Sequence, residues 1–439
     1  MNNTSSSVKP TLGFWSLTSI GVGGMVGGGL FAVLGLTALL AKGATPLAFI
    51  LAGIVAFLTS YSYAKLSVAY PSQGGTVVFL NQAFGPGLFS GGLNILLCLS
   101  YVIIVALYAV GLANYAMSLF PHADHLWKNI ILSSVVVFLT LLNMTSPRMV
   151  IKSELFFNIF KLVILAGFVI AGIWTVDLTR LEAPAWGSFP EILAGGMIIF
   201  LSYEGFELIA NASLATKKPE KNLPKAFYAS VLFVIGLYIL ISIVAIGNLP
   251  IFQFAQARDY ALAQSALPFF GNGGFILVSV AAVIASASAI NAALYGSAKV
   301  TFIVAKDGEL PTFLDRMVVG KPIAGLLLLS ALVLIVGNFF NIESISMMAS
   351  AGFLFIFAAV NAANFKLAKE THANRLICAM GFTSCVIATF AIILYKWNTD
   401  PIKILALLVL LLASFLIELI YRKATGRRIK NFLHVKFKP

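Results

Sequence analysis

The sequence predicts an all-α polytopic membrane protein built almost entirely from spanning helices. Of its 439 residues 60% are hydrophobic and 10% charged, and its mean hydropathy is +0.97. A soluble chain of that size carries about 25% charged residues. Apolar runs of the roughly 20 residues needed to cross a hydrocarbon core recur along the whole chain. The basic residues between those runs also fall mostly on one side.

Twelve runs are candidate spans, near residues 12–41, 45–69, 89–119, 127–145, 154–176, 190–214, 225–248, 273–304, 323–340, 344–365, 377–396 and 402–421. With the N-terminus in the cytoplasm, 21 of the 29 Lys and Arg residues lie in cytoplasmic segments and 6 in external ones. The positive-inside bias then places both termini in the cytoplasm, for a multi-pass protein of the plasma (inner) membrane. It also accounts for the net charge of +13 without a nucleic-acid partner. The polar segment 1–11 lacks the short apolar core and cleavage site of a signal peptide, so the first span is retained. The basic tail 422–439 reads as a solvated orientation signal, with anionic membrane lipid as its alternative contact. Loops are short, and the longest external one, Phe252 to Gly274, has room for a small surface helix.

Several function classes are excluded. Cys98, Cys378 and Cys385 sit in apolar runs, without disulfide or zinc spacing. His122 and His125 flank Asp124 with loose metal-ligand spacing, but loop histidines of this kind are mostly solvated. All four histidines fall in loops or the tail and no nucleophile elbow appears, so no enzyme, cofactor or metal is expected. A channel would need a repeated filter, and a seven-helix receptor fails on span count.

The first span holds the stretch Gly21 to Phe31, GVGGMVGGGLF, in which six of eleven residues are glycine. Glycine costs a helix interior about 1 kcal/mol relative to alanine, so the span should loosen or break there. Non-helical backbone at membrane depth is tolerated only where it is buried in protein or lines a cavity. The sixth span has a second suspect centre, Ser202 to Glu207, with a glycine and two carboxylates. Five spans separate the two breaks, so each opens a five-helix unit, and an odd helix count makes the two units face opposite ways. Paired interrupted spans in inverted halves point to a transporter's central site.

The glycine-rich first span, the sixth span with its loop (FLSYEGFELIANASLATKKPEKNLPKA) and the eighth with its loop (SASAINAALYGSAKVTFIVAKDGELP) together resemble the amino acid–polyamine–organocation (APC) transporters. The resemblance covers the whole transmembrane chain. It implies a LeuT-type fold: inverted five-helix repeats over 12–176 and 190–365, two peripheral helices over 377–421, and interrupted helices 1 and 6.

An opened helix presents amide N–H groups with a partial positive charge at its new N-terminus, suited to a carboxylate, and glycine lets a ligand approach the backbone. By resemblance, Gly28 and Gly29 offer N–H groups to a substrate carboxylate with Gly27 beside them, and the Met25 carbonyl faces the substrate ammonium. Leu201, Ser202 and Glu204 match positions that surround the substrate. Phe200, Tyr203 and Phe206 are candidate gates, with plain packing as the alternative. Glu207 matches a carboxylate that holds the break together or gates protons. Glu204 stands where relatives are often apolar; cation selection, proton relay and a carboxyl simply directed into the cavity all stay open.

Lys161 sits mid-span on the fifth helix. A lone ammonium there is expensive, so it is either neutral or paired. By resemblance it replaces the cation that sodium-driven relatives hold between helices 1 and 8. Its partners would then be carbonyls near Gly23 and the hydroxyl of Ser286 or Ser288, and its protonation cycle would couple transport to protons. Lys299, near the cytoplasmic end of the eighth span, reads as a loop anchor or inner gate. The expected function is secondary active transport of amino acids, proton-coupled through Lys161, with a polyamine or organocation importer or exchanger as the alternative that Glu204 raises.

Overall fold

The computed structural model describes residues 10–120, 124–145, 147–317 and 322–425. These form helices and turns without a strand. In chain order the helices are α1 (Phe14–Met25), α2 (Gly28–Ala41), α3 (Thr45–Ala69), α4 (Thr76–Phe84), α5 (Leu88–Ser118), α6 (His125–Thr145), α7 (Pro147–Gly172), α8 (Phe189–Ile199), α9 (Leu208–Asn211), α10 (Pro219–Asn248), α11 (Ile251–Gln256), α12 (Ala261–Lys306), α13 (Ile323–Phe339), α14 (Ile342–Lys366), α15 (Ala368–Thr371), α16 (Arg375–Thr399) and α17 (Pro401–Thr425). Ten segments are long and apolar enough to span a membrane, α1 and α2 form an eleventh bent by 45°, and the 17-residue α13 matches the ninth expected run. The twelve apolar runs are therefore all helical.

Local chemistry sets several boundaries. Proline occupies the first turn of α3, α8 and α10, where its missing N–H has no intrahelical partner to lose. Ser188 and Glu191 form a capping box at α8, the carboxylate accepting from the Ser188 N–H and hydroxyl at 2.8 Å each. Asn341 caps α14 by accepting from Ser344 N at 2.8 Å.

Burial sorts the helices into a core and a rim. The best 18-residue windows of α5, the α8–α9 span and α14 are 94%, 89% and 89% buried, against 28% for α6 and 28% for α17. The rim helices carry their apolar side chains outward, among them Phe138, Leu394, Trp397 and Leu412, as hydrocarbon solvent permits.

The loop expected to hold a surface helix differs from that expectation. It holds α11 and the first turns of α12, before a kink at Gly271 (φ 61°). Ala261, Leu262, Ala263, Ser265 and Ala266 are buried there, because this face is apolar and packs into the protein. At the same face, away from the termini, Glu343 pairs with Arg258 (3.0 Å), Lys396 (2.5 Å) and Lys403 (2.9 Å), joining α14 to α16, α17 and the loop.

The first and sixth spans are tied at both ends by backbone. On the termini face Thr11 N and Leu12 N donate to Ala215 O (2.9 Å each) and Lys217 N donates to Leu12 O (2.8 Å). On the far face Gly43 N donates to Ala185 O (3.0 Å) and Gly187 N to Ala41 O (3.2 Å). His122 and the tail beyond Thr425 lie outside the described residues, as does most of the N-terminal segment.

Candidate functional site: two helix breaks in contact

The first span breaks where its glycines predict. Helix α1 ends at Met25, Val26 (φ −78°, ψ 61°) and Gly27 (φ −106°, ψ −150°) leave helical geometry, and α2 restarts at Gly28. The first N–H groups of α2 have no intrahelical carbonyl to bond, and the positive end of its dipole points into the break. The sixth span breaks over a longer stretch. Helix α8 ends at Ile199, Phe200–Tyr203 form a 3₁₀ turn, Glu204 is extended and Gly205 takes φ 119° before α9 begins at Leu208.

The two breaks meet through bare backbone. A Cβ on Gly24 would stand 2.7 Å from Gly205 O, and one on Gly205 would stand 2.4 Å from Gly24 C. Only glycine permits this approach, and only glycine adopts the Gly205 conformation without strain. The hydroxyl of Tyr238, from α10, reaches both breaks, donating to Met25 O (2.8 Å) and Ser202 O (3.2 Å).

The glycine run is enclosed on three sides. A Cβ on Gly28 would meet the Tyr108 ring (2.8 Å) and Ser286 Oγ (2.9 Å), one on Gly29 would meet Leu201 and Ser202, and one on Gly27 would meet Ala289. Ser202 Oγ and Ser286 Oγ are buried there without a hydrogen-bond partner. Buried hydroxyls are ordinarily satisfied, so two of them against the first N–H groups of α2 mark a place for a polar ligand.

Lys161 is 1% exposed and its Nζ donates to Gly23 O at 2.9 Å. Asn158, one turn earlier, packs its amide against Gly23. Ser286 is not the partner expected for Lys161. The helical register of α12 turns its hydroxyl to the glycine run instead. Ser288 lines a narrow cavity on the termini side of the breaks together with Gly23, Gly24, Tyr101, Tyr108 and Glu204.

Glu207 braces the second break. Its Oε2 accepts from Gly205 N (2.7 Å) and its Oε1 from the Tyr101 hydroxyl (3.3 Å). Glu204 opens into the cavity and accepts from the Tyr108 hydroxyl at 3.5 Å.

Five expected site residues make other contacts, and for Phe200, Phe206 and Tyr203 these match plain packing, the alternative kept open for them. The Met25 carbonyl already accepts from Gly27 N (2.8 Å) and Tyr238. Phe200, in the 3₁₀ turn, and Phe206, between Gly205 and α9, belong to an aromatic cluster with Tyr63 of α3 and Phe357 of α14, at centroid distances of 5.3 to 5.9 Å. Tyr203 donates to Phe49 O (3.0 Å) and packs on Tyr238. Lys299 is exposed, its Nζ 4.3 Å from the Tyr295 ring of its own helix. Tyr108, Tyr238 and Ala289 went unnoticed in the sequence, since an aromatic or alanine in an apolar helix carries no signal of its own.

Two opposed helix breaks inside a bundle of apolar spans, faced by unpartnered hydroxyls and a buried lysine, define a multi-pass membrane transporter. The amino acid permease family model matches residues 12–428, and the chain belongs to that family, which comprises permeases and not enzymes. An uncharacterized protein of Methanocaldococcus jannaschii is 37% identical over 97% of this chain and 98% of its own. The inner membrane transport protein YbaT of Escherichia coli is 30% identical over 96% and 99%. The methylthioribose transporter of Bacillus subtilis is 28% identical over 83% of each chain. The protein therefore transports amino acids or related small molecules.

Proposed function

We propose that this protein is a secondary active transporter that moves amino acids across the cytoplasmic membrane by alternating access, coupled to protons through Lys161. One observation carries the reading: the N-terminus of α2 at Gly28 and Gly29 faces two buried, unpartnered hydroxyls, Ser202 and Ser286. Backbone N–H groups at a helix N-terminus suit a carboxylate, and the hydroxyls supply further donors. The bond from Lys161 to Gly23 O supports the coupling role, because deprotonation removes the charge that strengthens a hydrogen bond to a carbonyl two residues before the end of α1.

The excess of basic residues supports cytoplasmic termini. Ties at both ends of the first and sixth spans support their matching positions in two inverted repeats, 12–176 and 190–365. A second reading, an importer or exchanger of polyamines or other organic cations, is favoured by Glu204, which opens a carboxyl into the cavity.

Proteoliposomes with an inward proton gradient test this. Labelled amino acids should accumulate, and thermal shift against amino acids and polyamines should identify the binder by stabilisation. Accumulation of putrescine with no uptake of any amino acid would overturn the leading reading in favour of the second.

A further inference from the structure

A second narrow cavity lies outside the breaks, where α6, α12 and α13 meet toward the termini face. Asn143, Tyr295, Ala298, Pro322, Ile323 and Leu326 line it, with Asn143 the polar exception among apolar and aromatic neighbours. The Asn143 Nδ2 donates to Leu139 O (2.8 Å) and to Asn291 Oδ1 (2.7 Å), which uses both amide hydrogens. That fixes the orientation of the amide. It leaves Oδ1 buried without a partner, in a residue only 4% exposed. Buried carbonyl oxygens are ordinarily hydrogen-bonded, so this one has room for a donor that the protein does not supply.

Asn291, Tyr295 and Lys299 follow one another at four-residue spacing and so share one face of α12. The Lys299 Nζ lies 4.3 Å from the Tyr295 ring at an exposed position. The ion pairs of the described residues do not include it. On the other two helices Phe138, Leu327 and Leu328 are exposed, as side chains that face hydrocarbon are. An unpaired cation, an orphaned acceptor and apolar walls thus adjoin at the rim.

We propose that this cavity binds a glycerol-headed phospholipid from the leaflet on the termini side. Its phosphate pairs with Lys299, a head hydroxyl donates to Asn143 Oδ1, and an acyl chain starts along Pro322, Ile323 and Leu326. The charges choose the head. One ammonium balances one phosphate, and basic pockets between spans suit anionic lipid. A choline head has no hydrogen to donate, and an ethanolamine head brings a second cation beside Lys299. A glycerol head is neutral and carries hydroxyls. Bound there, the lipid joins α6 and α13 to α12, the helix that carries Ser286 and Ser288.

Native mass spectrometry of the purified full chain, titrated with lipids of identical acyl chains, tests the site without any transported substrate. Phosphatidylglycerol should bind more tightly than phosphatidylcholine, and Lys299→Gln should weaken its binding about tenfold. Phosphatidylmethanol has the same charge and no hydroxyl. It should bind wild type roughly fivefold more weakly than phosphatidylglycerol, and Asn143→Leu should make the two equal. Equal binding of these two lipids by wild type overturns the Asn143 contact, whether or not Asn143→Leu folds. Unchanged phosphatidylglycerol affinity in Lys299→Gln, or no preference over phosphatidylcholine, overturns the site. Displacement of the lipid by glycerol phosphate, a head without chains, overturns the lipid in favour of a soluble phosphate ester.

Discussion

The two breaks reach the same place by different means. The first uses almost no side-chain chemistry: Gly23, Gly24, Gly27, Gly28 and Gly29 leave backbone uncovered by side chains, and its charged partner, Lys161, comes from another helix. The second carries its chemistry itself, with Glu204 and Glu207 on either side of Gly205. The glycine break has no side chain of its own to brace it, and its hydrogen bonds run between its own amides and carbonyls or come from Lys161 and Tyr238 on other helices. A carboxylate-braced break holds a set conformation through named bonds. Bare backbone suits ligand contact, and a carboxylate brace suits holding shape.

Substitutions can break that comparison, and Gly28→Leu should do so most severely. Its side chain would collide with Tyr108 and Ser286, so substrate binding should weaken by more than about 100-fold, near 3 kcal/mol, with the fold retained on size exclusion. Normal affinity by thermal shift would remove the first break from ligand contact. Lys161→Ala comes next. Proton-driven accumulation should be lost while binding stays measurable, and an unchanged pH dependence of uptake would end its coupling role.

Gly24→Ala tests the meeting of the two breaks. The added carbon lies 2.7 Å from Gly205 O, a backbone atom, so destabilisation of about 1–3 kcal/mol is expected in chemical denaturation. Tyr238→Phe removes one hydroxyl from two carbonyls, worth about 1 kcal/mol, and should appear as a several-fold change in KM for uptake.

The smallest effect on transport should come from Glu309, a carboxylate outside both breaks. It is buried in the loop after α12, where Asn94 Nδ2 donates to both its oxygens (3.1 and 2.8 Å), and burial pushes its carboxyl up to about 7. A folded value above the ordinary 4.5 means that wild-type stability is full below about pH 4.5 and declines as pH rises through about 7. Glu309→Gln should flatten thermal stability over that window and leave uptake unchanged. Persistence of the decline would assign it to another group.

Much of this architecture is legible in one sequence because membrane spans must be apolar throughout and breaks need glycine or polar residues. Lys161 could be matched to Gly23 because a buried lysine in a family pattern has few partners to choose from. The faces of α12 and of the 3₁₀ turn could not be read. Small residues and serines spread around α12 do not fix its rotation, so the sequence leaves Ser286 and Ser288 as alternative partners of the lysine, and Phe206 as either a gate or plain packing. Tyr238 was invisible for a related reason: its ring fits an apolar helix, and its hydroxyl matters only once two distant carbonyls converge on it.

The backbone ties at both ends of the first and sixth spans bear on how such a protein diversifies. Bonds from Leu12 to Ala215 and Lys217, and from Gly43 to Ala185, involve no side chains. Mutation can therefore rewrite the walls of the cavity at Ser286, Ala289 or Glu204 without touching what keeps the two broken spans in step. Mechanical coupling is inherited with the main chain, and ligand choice is left free to drift.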